Sequence, residues 1–310
     1  MIATSILTGV LALLIAAKLS EYVIDSAIRI SNILHIRTVI FGILFVSIAT
    51  TLPELSVVLF SGIKNEISMS FGNLLGSIIV NIGLILAIIC WNGIKLSRIC
   101  AEEISRTASL VILSLLLIFF LPTLSLPFSL FLLILFILYL YSMHQTYFIP
   151  IKRATIPTLD LVKNLFIFFL SASGVVIFAK IGIDSIIAFS KEIGISSLFI
   201  GSTLIALETS LPELFVALSC IKKKKYEIGI GDIMGANVVN ATFLLAIASL
   251  FNISITFIEK FLALFVIICC ASVIIISTKE YLSKTDSFIL FSLFFSYLLF
   301  LFYFQIFNFI

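Results

Sequence analysis

The sequence predicts an all-α integral membrane protein of ten transmembrane helices, built as two inverted five-helix repeats. Three observations predict it. The chain of 310 residues is 62% hydrophobic and only 11% charged, with a mean hydropathy of +1.30. Soluble domains carry about 25% charged residues, and lipid, unlike a single soluble core, solvates apolar surface on this scale. Ten mostly apolar stretches approach the roughly 20 residues that a bilayer requires of a helix. A segment of the first half also recurs in the second half at one fixed offset.

The stretches are 3–29, 37–62, 69–91, 107–122, 126–142, 161–189, 196–220, 228–250, 258–277 and 286–309. The first has no positive region ahead of it, its first charge being Lys18, so it reads as a retained helix and not a cleaved signal. The fourth and fifth are separated only by Pro122 to Pro127, read as a tight turn. Read as a kink, that segment would lower the count to nine. Charge favours ten. Lys64, Lys191 and Lys260 then share a face with both termini. The opposite face holds Arg29, Arg37, Lys95, Arg98, Arg106, Lys152, Arg153, Lys163, Lys222 to Lys225, Lys279 and Lys284. Lys and Arg mark the cytoplasmic side, so both termini are expected outside a plasma membrane. The run Lys222 to Lys225 reads as a topology anchor at a helix end, touching anionic lipid. The domain reading is a first repeat over 1–142, a cytoplasmic linker over 143–160 and a second repeat over 161–310.

Several classes drop out. A net charge of +3 without a basic, aromatic-interleaved groove gives no ground for nucleic acid. Cys90, Cys100, Cys220, Cys269 and Cys270 lack metal-ligand spacing and read as small apolar fillers. HExxH and GxSxG are absent, and His35 and His144 fall at cytoplasmic helix ends, so no enzyme, cofactor or obligate protein partner is expected.

Ile48 to Leu55 reads IATTLPEL and Leu207 to Leu214 reads LETSLPEL, 159 residues apart. The same offset carries Gly42 onto Gly201, Gly72 onto Gly231, Gly76 onto Gly235, Asn81 onto Asn240 and Asp25-Ser26 onto Asp184-Ser185. Five spans per unit is an odd number, so the second unit sits upside down. Inverted repeats of this kind mark secondary transporters, with the substrate at the repeat interface near the midplane. Glu54 and Glu213 fall well inside the hydrocarbon. A carboxylate there costs at least about 2.5–3.5 kcal/mol unless a cation, a proton or a partner meets it. Pro53 and Pro212 remove backbone donors to the carbonyls of Ala49 and Glu208, so each helix should open near Thr50 and Thr209. Freed carbonyls, carboxylates and the hydroxyls of Thr50, Thr51, Thr209 and Ser210 are the hard oxygens that Ca²⁺ and Na⁺ take. Opposite them, GNLLGSIIVN from Gly72 and GDIMGANVVN from Gly231 pair close-packing glycines with Ser77, Asn81 and Asn240. For the two asparagines an interhelical hydrogen bond is the rival reading.

The paired TLPEL and SLPEL segments, each followed by a G(N/D)xxG(S/A)xxxN segment, resemble the two alpha repeats of the cation/calcium exchanger superfamily, most nearly its prokaryotic sodium/calcium exchanger branch. The resemblance implies that Glu54 and Glu213 bind Ca²⁺ and share Na⁺. It implies oxygen from Thr50 and Thr209, backbone carbonyls of Ser47 and Ala206 at flanking Na⁺ sites, and hydroxyls of Thr51, Ser77 and Ser210 beside them. Asn81 and Asn240 would border the central pair. The first and sixth helices would slide to switch access. Their charges, Lys18, Glu21, Asp25, Arg29, Lys180 and Asp184, read as a stripe neutralised along the helix. Four positions depart from the pattern: Ala236 for serine, Asn240 for aspartate, Asp232 for asparagine and Glu208 for glycine. Glu208 is a possible accessory, as a supplementary charge, a proton site or a neutral group facing a neighbouring helix. The expected function is Ca²⁺ export against Na⁺, with Ca²⁺/H⁺ exchange on the same fold as the alternative and a cation channel as a more distant one.

Overall fold

The computed structural model describes residues 2–34, 37–63, 67–147, 158–190 and 201–307. His35, Lys64, Lys152, Arg153, Lys191 and the start of the seventh stretch lie outside them, as do the side chains of Lys180 and Asp184. The described chain is almost entirely helical. Its helices are α1 (Ile2–Ile33), α2 (38–50), α3 (Leu52–Ile63), α4 (Ile67–Cys90), α5 (Arg98–Leu116), α6 (Leu126–Tyr147), α7 (Thr158–Ser190), α8 (201–209), α9 (Leu211–Lys223), α10 (Tyr226–Ser249), α11 (Phe257–Ser277) and α12 (Lys284–Phe307). Among the described residues α4, α6, α7, α10, α11 and α12 are each long and apolar enough to cross a membrane, and α2 with α3 makes a seventh, broken span.

The fourth stretch differs most from its expected bounds, since α5 starts at Arg98 rather than 107. Its first turns are charged, and Arg98 pairs with Glu102 at 2.8 Å and Arg106 with Glu103 at 3.0 Å. Pairs three and four residues apart sustain helix where apolarity does not signal it. Caps fix other ends. Ser97 accepts from the backbone N–H of Cys100 at 3.2 Å, and Thr256 N–H donates to Glu259 Oε2 at 2.9 Å in a capping box.

The two halves match element by element. Wide π-helical turns, whose bonds join residues five apart, occupy Gly42–Val46 and Gly201–Ile205, 159 residues apart, and a second pair occupies Asn81–Leu86 and Val239–Leu244. Gly93 and Asn252, also repeat mates, turn the chain in the left-handed region at φ 64° and 57°. Each turn leads into a two-residue strand: β1 (Ile94–Lys95) and β3 (Ile253–Ser254). β2 (Thr123–Leu124) lies in the predicted Pro122 to Pro127 turn, and β4 (Tyr281–Leu282) between α11 and α12. The strands pair across the halves, antiparallel, β1 with β4 and β2 with β3.

Helices cross between halves too. α10 packs against α2, and α4 against α8. The best spanning windows of α4 and α10 are each 89% buried, against 28% for α6, α7 and α12, so α4 and α10 form the centre and the others face outward. Close approach explains the glycines. A Cβ on Gly76 would stand 2.7 Å from Ser202 O and 2.8 Å from Ala206 Cβ. On the mate Gly235 it would stand 2.5 Å from Ile43 O and 2.6 Å from Ser47 Oγ. The small-residue contact read from the sequence is therefore present, and it joins each half to the other. The five cysteines are free and buried, as fillers should be.

α1 lies along α7 in the most extensive helix contact of the described residues. Lys18 pairs with Glu21 at 2.7 Å along α1, as the stripe predicts. The rest of that charge is met differently. Lys222 reaches Glu21 at 2.5 Å and Lys223 pairs with Asp25, so two of the four anchor lysines bind α1 instead of standing free toward lipid.

Candidate cation site

α2 and α3 bend by 42° about Thr51, whose ψ is 7°, and α8 gives way to α9 at the mate Ser210, whose ψ is 4°. The opening was expected at Thr50 and Thr209 and occurs one residue later. Proline is accommodated in the first turn of a new helix, where no intrahelical partner waits for its missing N–H. The non-helical residue is thus the one before Leu52 and before Leu211. The consequence is chemical: Glu54 and Glu213 sit in the first turns of α3 and α9, where the helix dipole favours negative charge.

Both glutamates are fully buried, and none of their four carboxylate oxygens has a hydrogen-bond partner among the described residues. Neither reaches hydrogen-bond geometry: Glu54 faces Thr209 of the other half and Ser77 of its own, and Glu213 faces Thr50 of the other half. The two carboxylates are near enough to repel one another. None of the ion pairs among the described residues reaches them.

The flanking hydroxyls are tied across the halves in matching fashion. Thr209 Oγ1 donates to Asn73 Oδ1 at 3.1 Å and lies 3.2 Å from Ser77 Oγ. Thr50 Oγ1 donates to Asp232 Oδ1 at 3.0 Å, and Asp232 is the repeat mate of Asn73. Asn81 Nδ2 donates to Asn237 Oδ1 at 3.0 Å, which is the interhelical bond considered for it, while its Oδ1 has no partner among the described residues. Among the described residues, buried Asn240 has no partner for either side-chain atom, and Ser210 Oγ is likewise unpartnered. Asn81 and Asn240 both lie in the wide turns of α4 and α10, a helix distortion that often accompanies functional sites.

The remaining candidates are engaged locally. The Ser47 carbonyl accepts from Thr51 N–H at 3.0 Å and Thr51 Oγ1 at 2.9 Å, and the Ala206 carbonyl from Ser210 N–H at 3.1 Å. Ser47 Oγ donates to Ile43 O at 2.5 Å. Glu208 is only partly buried, whereas its neighbour Thr209 is enclosed. The third buried carboxylate beside the pair is instead Asp232. Asn73, Asp232 and Asn237 were not singled out as ligands. The first two share the second position of the G(N/D)xxG segment, so a polar residue recurring at the repeat offset was the available signal. Among the described residues no three His, Cys, Asp or Glu side chains form a ready-made metal cluster. What converges is a pair of carboxylates ringed by neutral oxygens, with Asp232 on one flank.

Comparison with known proteins follows this geometry. Residues 4–144 and 163–303 match the family of the sodium/calcium exchanger protein. The sodium/calcium exchanger MaX1 of Methanosarcina acetivorans is 26% identical over 98% of this chain and its own whole length. An uncharacterized membrane protein of Methanocaldococcus jannaschii is 28% identical over 75% of this chain and 77% of its own. The solved structure of the sodium-calcium exchanger NCX_Mj superposes with a TM-score of 0.84 at 23% identity, covering 95% of this chain and 98% of that one, which establishes the fold. This chain is a multi-pass membrane protein and belongs to the sodium/calcium exchanger family of cation transporters.

Proposed function

We propose that the protein is a secondary antiporter that moves Ca²⁺ out across the plasma membrane in exchange for Na⁺, with Ca²⁺ held between Glu54 and Glu213. The observation that carries this reading is the pair of buried glutamates, one from each half, whose four oxygens have no hydrogen-bond partner among the described residues. Uncompensated charge at that depth costs several kcal/mol per ion. One Ca²⁺ neutralises both carboxylates, and Na⁺ ions do the same in turn. The empty site carries the penalty, so the carrier changes its facing when loaded and resists doing so when empty. That asymmetry is what makes an exchanger rather than a leak.

The membrane arrangement proposed is ten spans in two inverted units. Strand pairing supports it. β1 and β4 fall in connections that the charge rule assigns to the cytoplasm, and β2 and β3 in connections that it assigns to the outside. Each pair thus joins two segments of the same side. The units proposed are 1–142 and 161–310, joined by a cytoplasmic linker, with both termini outside. Thr50, Thr209 and the central glutamates make the Ca²⁺ site. Ser47, Thr51, Ser77, Ala206 and Ser210 border it as Na⁺ positions, with Asn81 and Asn240 beside the pair.

Equilibrium binding of radioactive Ca²⁺ to the purified protein tests the reading. Saturable binding displaced by Na⁺, and lost in Glu213→Gln, is the expected result. Binding that Na⁺ leaves untouched would overturn it.

A further inference from the structure

The two flanks of the site are not chemically equal, although the backbone repeats. Around Thr209 stand two neutral oxygens, Asn73 Oδ1 at 3.1 Å and Ser77 Oγ at 3.2 Å. Around Thr50 the mates of those residues are Asp232 and Ala236. Ala236 brings a methyl group and no oxygen. Asp232 brings a carboxylate, with Oδ1 at 3.0 Å from Thr50 Oγ1. Its Oδ2 has no hydrogen-bond partner among the described residues, although the side chain is fully buried.

Position makes the exchange of oxygens possible. Residues four apart on a helix share a face, so Asp232 and Ala236 look the same way from α10, as Asn73 and Ser77 do from α4. Asp232 also lies close enough to Glu213 for their charges to act on each other, and Glu213 in turn faces Thr50. Among the described residues no ion pair reaches either carboxylate, and two carboxylates with a hydroxyl between them are a hard-oxygen nest for a cation. Two ionised carboxylates left side by side in a dry interior repel, and a cation between them removes the repulsion.

We infer that Asp232 is a cation-ligating residue of this site, replacing with a carboxylate the hydroxyl that Ala236 withholds, and that it makes the Na⁺ position beside Thr50 the more strongly charged of the two that flank the Ca²⁺ site. The inference rests on the reading of Glu54 and Glu213 as the exchange centre. Its content is specific: the Thr50 flank binds Na⁺ through charge, while the Thr209 flank binds it through neutral dipoles. Asp232 therefore sets Na⁺ affinity more than Ca²⁺ affinity, because Ca²⁺ sits between the two glutamates.

The test uses the full chain in proteoliposomes, with Ca²⁺ uptake followed as internal Na⁺ is varied. Ca²⁺/Ca²⁺ exchange, which needs no Na⁺, is measured beside it. Asp232→Asn is expected to raise the half-saturating Na⁺ by about tenfold, the effect of removing one charged ligand, and to raise the half-saturating Ca²⁺ of Ca²⁺/Ca²⁺ exchange by clearly less. The double variant Asp232→Asn with Ala236→Ser copies the Asn73 and Ser77 arrangement. It is expected to regain most of the lost Na⁺ affinity, a rescue that a merely structural role would not give. An Asp232→Asn protein with unchanged Na⁺ dependence would overturn the inference and leave the exchange centre standing. So would an equal loss in both assays that the second substitution fails to repair. A wild-type protein that shows neither activity would overturn the exchange reading itself, and the inference with it.

Discussion

Thr209 of the second half donates a 3.1 Å hydrogen bond to Asn73 of the first, across the centre of the molecule. The bond places a hydroxyl from the end of α8 against α4, where Glu54 also points. Thr209→Val keeps the shape and removes the donor. It is expected to weaken Ca²⁺ binding by about tenfold, since a buried amide oxygen loses its partner and the cation loses a ligand. Thr209→Ser retains the hydroxyl and should bind nearly as wild type. Titration of Ca²⁺ against both variants checks this, and equal losses in the two would assign Thr209 a packing role.

Glu54→Gln and Glu213→Gln should each reduce Ca²⁺ transport by about a hundredfold or more, the scale of losing one buried charge at a charged contact. Both proteins should still insert, because each amide is cheaper to bury than the carboxylate it replaces. Transport rates normalised to membrane-inserted protein decide the matter. Substantial transport by either variant would remove the glutamate pair from the mechanism.

Gly76→Val should destabilise the fold by about 1–3 kcal/mol, the usual cost of overpacking. The added atoms have nowhere to go, with Ser202 O at 2.7 Å and Ala206 Cβ at 2.8 Å from the first of them. Thermal unfolding in detergent reads the change. A wild-type midpoint would mean that α4 and α8 stand further apart in solution.

The proposed topology predicts which loops react from which side. All five native cysteines are buried, so the background is low. Ser254→Cys, in β3, should react with an impermeant maleimide added to intact cells, and Tyr281→Cys, in β4, only after the membrane is opened. Both positions are exposed in the structure. The reverse pattern would turn the molecule over, and reaction of both from one side would break the ten-span count.

Much of this was legible in the sequence because it is local or periodic. Apolar length marks α4, α6, α7, α10, α11 and α12, and a fixed offset of 159 finds TLPEL and SLPEL, the glycines and the paired asparagines. Proline predicts a break within one residue of Thr51 and Ser210. What escaped depends on which helix meets which. Nothing local to Lys222 and Lys223 indicates that they reach Glu21 and Asp25, some 200 residues earlier. Nothing local to Thr50 indicates Asp232 as its acceptor, because the contact exists only once α2 lies across α10. Glu208 drew attention as a charge in an apolar run, yet burial distinguishes it from Asp232, and burial is a property of the assembled bundle. The charged start of α5 escaped for a different reason: its helix is sustained by ion pairs, which an apolarity reading passes over.

Uptake of radioactive Ca²⁺ into proteoliposomes loaded with Na⁺ tests the central claim most directly, compared with vesicles loaded with K⁺ and given an imposed pH gradient. The account predicts uptake that requires internal Na⁺ and saturates with it, and none beyond background in the K⁺ vesicles. Uptake driven by the pH gradient without Na⁺ would contradict it and move the coupling ion to the proton.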